Sequence, residues 1–208
     1  MNILGHTHVA LAGGRGDSGY LLGAVLPDLT PMAGVKVVRT ALPRAVADGV
    51  GCHVRTDEAF HAHPTFVAGS RAIRVDLDAR GVASGPARAV GHAGWELLLD
   101  GALLGTATEV AFRRAMAVGG DATAAMSAAD ASRWVAFVDR SRSAPALAFG
   151  DPRWVADRLF GMLARRPRLR LPAEQVPTVA EVLAGLVDEV RALAPDVLAD
   201  TVRTVYGP

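Results

Sequence analysis

Apolar residues recur three and four positions apart along almost all of this 208-residue chain, and that is the period at which an α-helix keeps one face out of water. Alanine, leucine, valine and arginine dominate, while glycine and proline punctuate the apolar segments, a pattern that favours helices over strands. The sequence therefore predicts an all-α fold, a single-domain helical bundle. Its helices are expected near residues 2–12, 18–26, 43–62, 65–78, 85–103, 105–117, 128–141, 151–165, 176–193 and 195–205. Several ends have a local cause: Pro43 opens a helix, Pro64 closes the one before it, and Asp151 with Pro152 reads as an N-cap followed by proline at the first helical position. Gly13 to Ser18 reads as a turn. Val35 to Thr40 is rich in β-branched residues but has no partner strand, so it reads as loop or helix. Ala122 to Ala131, rich in small residues, reads as a mobile connection. No internal repeat or break in composition divides the chain, and its length, with half of its residues apolar, suffices for one domain with a substantial core.

Charge and composition narrow the function classes. Twenty-two basic residues against 21 acidic ones leave a net charge of +1, so there is no general field for non-specific nucleic-acid binding. All the basic residues except Lys36 are arginine, a skew that fits a GC-rich coding sequence and carries no functional weight. No stretch reaches the ~18 uninterrupted apolar residues of a membrane-spanning helix. Met1 to Ala12 lacks the charged start of a signal peptide and is interrupted by His6 and His8, so a cytoplasmic location is expected. The single cysteine, Cys52, excludes an internal disulfide and reads as a packing residue. There is no phosphate-binding P-loop, no Gly-x-Ser-x-Gly elbow and no dinucleotide fingerprint.

Histidine is distributed unevenly: all six lie at or before His92, so any chemistry belongs to the first half. His53 and Asp57 are four apart, on one helix face, and His61 continues that line. An imidazole and a carboxylate at this spacing chelate one divalent cation when another helix completes the shell, although the same spacing also makes an ordinary surface ion pair. His92 and Glu96 repeat the spacing inside the apolar segment Val90 to Asp100. Burial there demands either mutual hydrogen bonds or a shared cation, and Asp100 lies one turn beyond. His61 and His63, two apart, point to different faces and compete for one ligand position; His6 and His8 do likewise, with His6 slightly favoured. Asp28, at the end of the apolar run Leu21 to Pro27, is a further carboxylate ligand or an N-cap. So many donors exceed the four of a structural zinc site. They suit two or three catalytic ions, which at separations of ~3.5 to 4 Å activate water and stabilise charge on a phosphoryl group.

The sequence resembles the acyl carrier protein phosphodiesterases, a divergent branch of the HD-type metal-dependent hydrolases, nearly end to end. The resemblance is carried by Met1 to Ala10, Leu21 to Asp28, His53-Val-Arg-Thr-Asp57 followed by His63-Pro64, Trp95-Glu96, and Gly161 to Leu169. It implies an HD-hydrolase-like helical fold and a phosphodiesterase that releases phosphopantetheine from the serine of acyl carrier protein with a divalent metal, typically manganese. Carry-over of the site is firmest at His6, Asp28, His53 and Asp57. The chain departs from the family pattern at His61 and His92, where aspartates are expected, and at Trp95-Glu96-Leu97, where Trp-Asp-His is expected. Imidazoles in place of hard oxygen donors shift the preference from manganese toward zinc or iron. The order His53, Asp57, His63, His92, Glu96 is also similar to the ligand order of zinc-dependent phospholipase C.

The catalytic candidates are thus His53, Asp57 and Asp28, and the metal candidates are His6, Asp28, His53, Asp57, His61, His63, His92 and Glu96. Arg55, Arg165, Arg166 and Arg168 are the candidates for holding a small phosphoester or docking an acidic acyl carrier protein. Arg170 joins the cluster around Pro167, which also reads as a solvated helix end favouring positive charge. Two other readings compete: a zinc-dependent hydrolase of another small phosphorylated or phospholipid-like substrate, and a non-catalytic helical binding protein.

Overall fold

The computed structural model describes residues 1–143 and 148–207, and among these every regular element is helical. The α-helices are α1 (Ile3–Ala12), α2 (Ser18–Ala33), α3 (Arg44–His61), α4 (Pro64–Ala79), α5 (Ser84–Ala102), α6 (Ala107–Ala117), α7 (Ala128–Ser143), α8 (Pro152–Leu163), α9 (Val176–Ala184) and α10 (Val187–Tyr206). Short 3-10 turns occupy Arg39–Ala41, Gly119–Ala125, Pro167–Leu169 and Ala173–Gln175. No described helix is long and apolar enough to cross a membrane.

Three elements differ from the expected ones, each for a reason in the packing. α2 does not stop at residue 26 but continues through Pro27 and Pro31, because Leu26 and Leu29 are both buried and extend the apolar face beyond the break that proline favours. α10 likewise runs through Pro195. Its buried residues Val190, Ala194, Val197 and Leu198 form one continuous stripe, and the interruption falls instead between α9 and α10, around Gly185. Residues 122–131 are not a connection: a 3-10 turn ends at Ala125 and α7 begins at Ala128. The buried Trp134 indole donates to the Gly119 carbonyl at 2.7 Å, tying that turn to α7.

The Cα packing divides the chain into two compact units. Unit 1 comprises Met1–Ala59, Gly105–Leu147 and Asp200–Pro208; unit 2 comprises Phe60–Leu104 and Ala148–Ala199. Composition carries no mark of this division, since each unit is assembled from segments far apart in sequence.

In unit 1, α1, α2 and α6 pack on one another around a core that includes Leu21, Leu22, Val25, Met116 and Trp134. α2 begins where Asp17 accepts a hydrogen bond from the Tyr20 backbone N–H at 2.9 Å, and ends at Gly34 in the left-handed region, the usual chemistry of an N-cap and a C-terminal glycine. Against α2 lies α3, backbone to backbone. A Cβ at Gly23 would sit 2.0 Å from the Val46 carbonyl oxygen, and one at Gly49 would sit 2.1 Å from that of Tyr20, so only glycine permits the crossing. Cys52 is buried, its Sγ 3.2 Å from the Tyr206 hydroxyl, as a packed thiol.

Unit 2 is built on the pairs α4–α5 and α8–α9. Pro64 opens α4 at its first position, with His63 as N-cap. Gly69 leaves room for the Trp95 indole, and Gly91 lets α5 approach the Ser70 carbonyl of α4. The rings of Phe60, Phe66 and Trp95 pack at centroid separations of 4.5 to 5.8 Å.

Candidate metal centres

Unit 1 brings together four of the expected ligands from three helices. α1 supplies His6, α2 supplies Asp28, and α3 supplies His53 and, one turn later, Asp57. His6 Nε2 lies 3.2 Å from Asp57 Oδ1 and 3.7 Å from Asp28 Oδ2, while His53 Nε2 lies 3.5 Å from Asp57 Oδ2. These separations match the spacing of about 3.4 Å between donors held ~2.1 Å from one tetrahedral cation. Ligand atoms of His6, Asp28 and His53 all fall within 4.8 Å of one another, so small side-chain movements are enough to close them on an ion.

The tautomer of His53 is set by the helix crossing. Because α2 and α3 touch at Gly23 and Gly49, His53 Nδ1 reaches the Ala24 carbonyl at 2.9 Å. A carbonyl only accepts, so Nδ1 carries the proton and Nε2 faces the carboxylates with its lone pair available, the arrangement that orients a metal-binding imidazole. His6 stacks on His53, with ring centroids 3.9 Å apart. It is fully buried, and among the described residues neither ring nitrogen has a hydrogen-bond partner, Asp57 lying close but poorly aligned. A buried imidazole without hydrogen bonds is costly, and a cation on Nε2 would remove part of that cost.

The electrostatics point the same way. Burial, aided by the neighbouring His53, outweighs Asp57 and pulls His6 down to a pKa of about 4, so it is neutral at physiological pH. Burial also disfavours the His53 cation, but Asp57, Asp28 and the Ala24 carbonyl outweigh it and raise the His53 pKa. Burial alone would raise the Asp57 carboxyl; the imidazoles of His53 and His6 and the terminal amine hold it far below the usual carboxylate range. The Met1 amine reaches Asp57 Oδ1 at 2.9 Å. Positive charge is thus already drawn to Asp57, where a divalent ion would compete with it.

Unit 2 holds the second group. His61, at the end of α3, contacts Glu96 Oε1 through Nε2 at 2.9 Å, and His92 Nε2 approaches the same oxygen at 3.3 Å. His61, His92 and Glu96 form a candidate ligand set of two imidazoles and one carboxylate. Burial would raise the Glu96 carboxyl, yet the two imidazoles hold it far below its ordinary value. Phe66 packs against both histidine rings at 5.2 Å, and the His92 side chain is 49% exposed, leaving the group accessible.

The remaining candidates lie elsewhere. His8 turns to the Thr108 hydroxyl, with Nδ1 at 3.2 Å. His63 accepts the Thr65 backbone N–H through Nδ1, as a helix cap, and joins neither ligand group. Asp100 is buried on α5 and also stands outside both. The pairs at four-residue spacing therefore part company: His53 groups with His6 and Asp28, with Asp57 beside the two imidazoles but outside the set, and His92 and Glu96 group with His61. Arg55, Arg165, Arg166, Arg168 and Arg170 are all exposed. Sequence reasoning passed over the Ala24 carbonyl and the Met1 amine, since backbone groups leave no side-chain signal; the nearest hint was glycine at 23 and 49. Compared with protein-family models, curated proteins and solved structures, the chain matches none.

Proposed function

We propose that this chain is a metal-dependent phosphodiesterase, with His6, Asp28, His53 and Asp57 as the ligands of its principal metal centre. The observation that carries the reading is the gathering of His6, Asp28 and His53 ligand atoms within 4.8 Å of one another, with Asp57 beside both imidazoles at 3.2 and 3.5 Å and His53 oriented by the Ala24 carbonyl. Two carboxylates beside two imidazoles offer the negative charge and nitrogen lone pairs that suit a divalent ion. A bound zinc, manganese or iron ion supplies Lewis-acid activation of water and neutralises charge on the phosphoryl group. Asp57 and Asp28 hold negative charge at the site, His53 keeps its proton on Nδ1, and His6 seals the inner wall against water. A second ion belongs at His61, His92 and Glu96, whose two nitrogen donors favour zinc over manganese.

The substrate class we propose is a phosphopantetheinyl acyl carrier protein or a related small phosphoester, hydrolysed in the cytoplasm. Exposed Arg165, Arg166 and Arg168 suit an acidic carrier, since guanidinium pairs with carboxylate and phosphate in bidentate fashion. The donor set of the second group favours one alternative within the same chemistry, a zinc-dependent hydrolase of another phosphorylated metabolite.

The test combines elemental analysis with turnover of bis(p-nitrophenyl) phosphate and of holo acyl carrier protein, the latter followed by mass. At least one equivalent of zinc, manganese or iron and a measurable rate are expected, and His53→Ala and Asp57→Ala each reduce that rate at least tenfold with helicity intact. A protein that binds none of these metals and cleaves neither substrate in their presence is a binding module instead.

A further inference from the structure

A cleft of about 410 Å³ in unit 2 is lined by Phe66, Val67, Ser70, Arg71, Arg74 and Arg88. Three of these six are arginines and none is acidic, an unusual lining, because like charges gathered in one concavity raise each other's energy unless an anion joins them. Their existing partners do little to offset this. Among the described residues neither Arg71 nor Arg88 forms an ion pair, and Arg74 meets only Asp78, four residues on, at 4.0 Å. Arg74 Nε is buried and makes no hydrogen bond among the described residues, its carboxylate neighbour Asp78 lying beyond hydrogen-bond reach.

The position of the cleft is equally telling. α4 and α5 approach closely at Gly91, where a Cβ would lie 2.5 Å from the Ser70 carbonyl oxygen, and this brings Arg88 of α5 alongside Arg71 and Arg74 of α4. Phe66 belongs to the cleft and also packs edge-on against His92 at 5.2 Å. Along α5, Arg88, His92 and Glu96 follow at four-residue intervals, so the arginine lies one helical turn before the imidazole on the same face. The basic cleft and the group of His61, His92 and Glu96 therefore share a wall and a helix face.

We propose that Arg71, Arg74 and Arg88 form a binding subsite for a phosphate group, beside the second metal-ligand group. Guanidinium forks bind a tetrahedral oxyanion in bidentate fashion, the Ser70 hydroxyl adds a donor, and Phe66 with Val67 provides an apolar wall for the carbon that carries the phosphate. The ligand class is a phosphomonoester or phosphodiester. That this ligand is a substrate rests on the function proposed above; the binding of phosphate does not.

The experiment uses the full chain, stripped of metal with EDTA and dialysed, and titrated with inorganic phosphate at constant ionic strength. Chloride is the control, and binding is followed by calorimetry and by the arginine Nε–Hε resonances. Saturable binding above the chloride control is expected, with shifts at the cleft arginines. The exposed positions tolerate substitution, so Arg71→Gln with Arg88→Gln should keep the circular dichroism spectrum and weaken phosphate binding at least tenfold, while Arg114→Gln with Arg140→Gln, at exposed arginines of unit 1, should not. Absence of saturation, or equal affinity in the Arg71→Gln, Arg88→Gln protein, overturns the subsite. A chain that binds phosphate through these arginines but holds no metal and turns over no diester overturns the enzymatic reading alone.

Discussion

His6 and His53 are stacked imidazoles of the same unit with opposite tendencies, and the difference lies in what each ring touches. His53 donates to a carbonyl and faces two carboxylates, which together raise its pKa despite burial. For His6, complete burial and the neighbouring His53 outweigh Asp57, so its pKa falls to about 4. For the metal-free protein the sign follows directly. The unfolded chain protonates His6 near its ordinary 6.5 while the folded chain does not until about 4, so the unfolded state binds more protons between those values and stability falls as pH drops across that window. His53 acts oppositely, its contribution being full below 6.5 and lost as pH rises through its raised folded value. Urea denaturation of the metal-free protein at pH 6.5, 5.5 and 4.5 should show a loss of stability that is smaller in His6→Gln; an identical slope in the two proteins would refute the assignment.

The crossing of α2 and α3 is the element that positions His53 in the proposed principal centre. Gly23 and Gly49 lack the Cβ atoms that would collide with the facing backbone, and His53 lies one turn after Gly49, where it reaches back to Ala24. Gly49→Ala would place a methyl group 2.1 Å from the Tyr20 carbonyl oxygen, and an overpacked contact of this kind costs about 1 to 3 kcal/mol. Because separation of the helices also breaks the bond from His53 to Ala24, metal affinity should fall with stability. Gly51→Ala is the control, since its Cβ would meet only the Arg55 guanidinium, at 3.6 Å, and alanine gains about 1 kcal/mol of helix propensity over glycine. Denaturation and zinc titration of both variants check the pair; equal losses in the two would mean that the close crossing is not what orients His53. The helix continuing through Pro195 shows the converse: where Val190, Ala194, Val197 and Leu198 are all buried, side-chain packing outweighs a missing backbone hydrogen bond.

At the scale of the whole chain, the candidate ligands among the described residues form two groups, one in each compact unit. Elemental analysis after reconstitution with zinc should therefore approach two ions per chain, falling by one in His53→Ala with Asp57→Ala, and by one in His92→Ala with Glu96→Ala. A stoichiometry unchanged by either pair would exclude that group as a site. A ligand that binds only the folded state stabilises it by about 2.7 kcal/mol at a hundredfold excess over its Kd. Chelation should accordingly lower Tm by several degrees, and restoring zinc should reverse the change.

The helical class, most helix positions and the pairs His53–Asp57 and His92–Glu96 were legible in the residues, because periodicity and four-residue spacing are local properties of a helix. Asp28 and His6 were legible only as candidates. Their grouping with His53, the choice of His61 over His63, and the arginine cleft were decided by the packing of helices against one another. So were the continuations through Pro27, Pro31 and Pro195, where buried side chains outweighed local backbone preference. A helix turn sets which residues share a face, but which faces meet depends on burial, on glycines that let backbones touch, and on contacts between segments far apart in the chain, none of which a local pattern encodes.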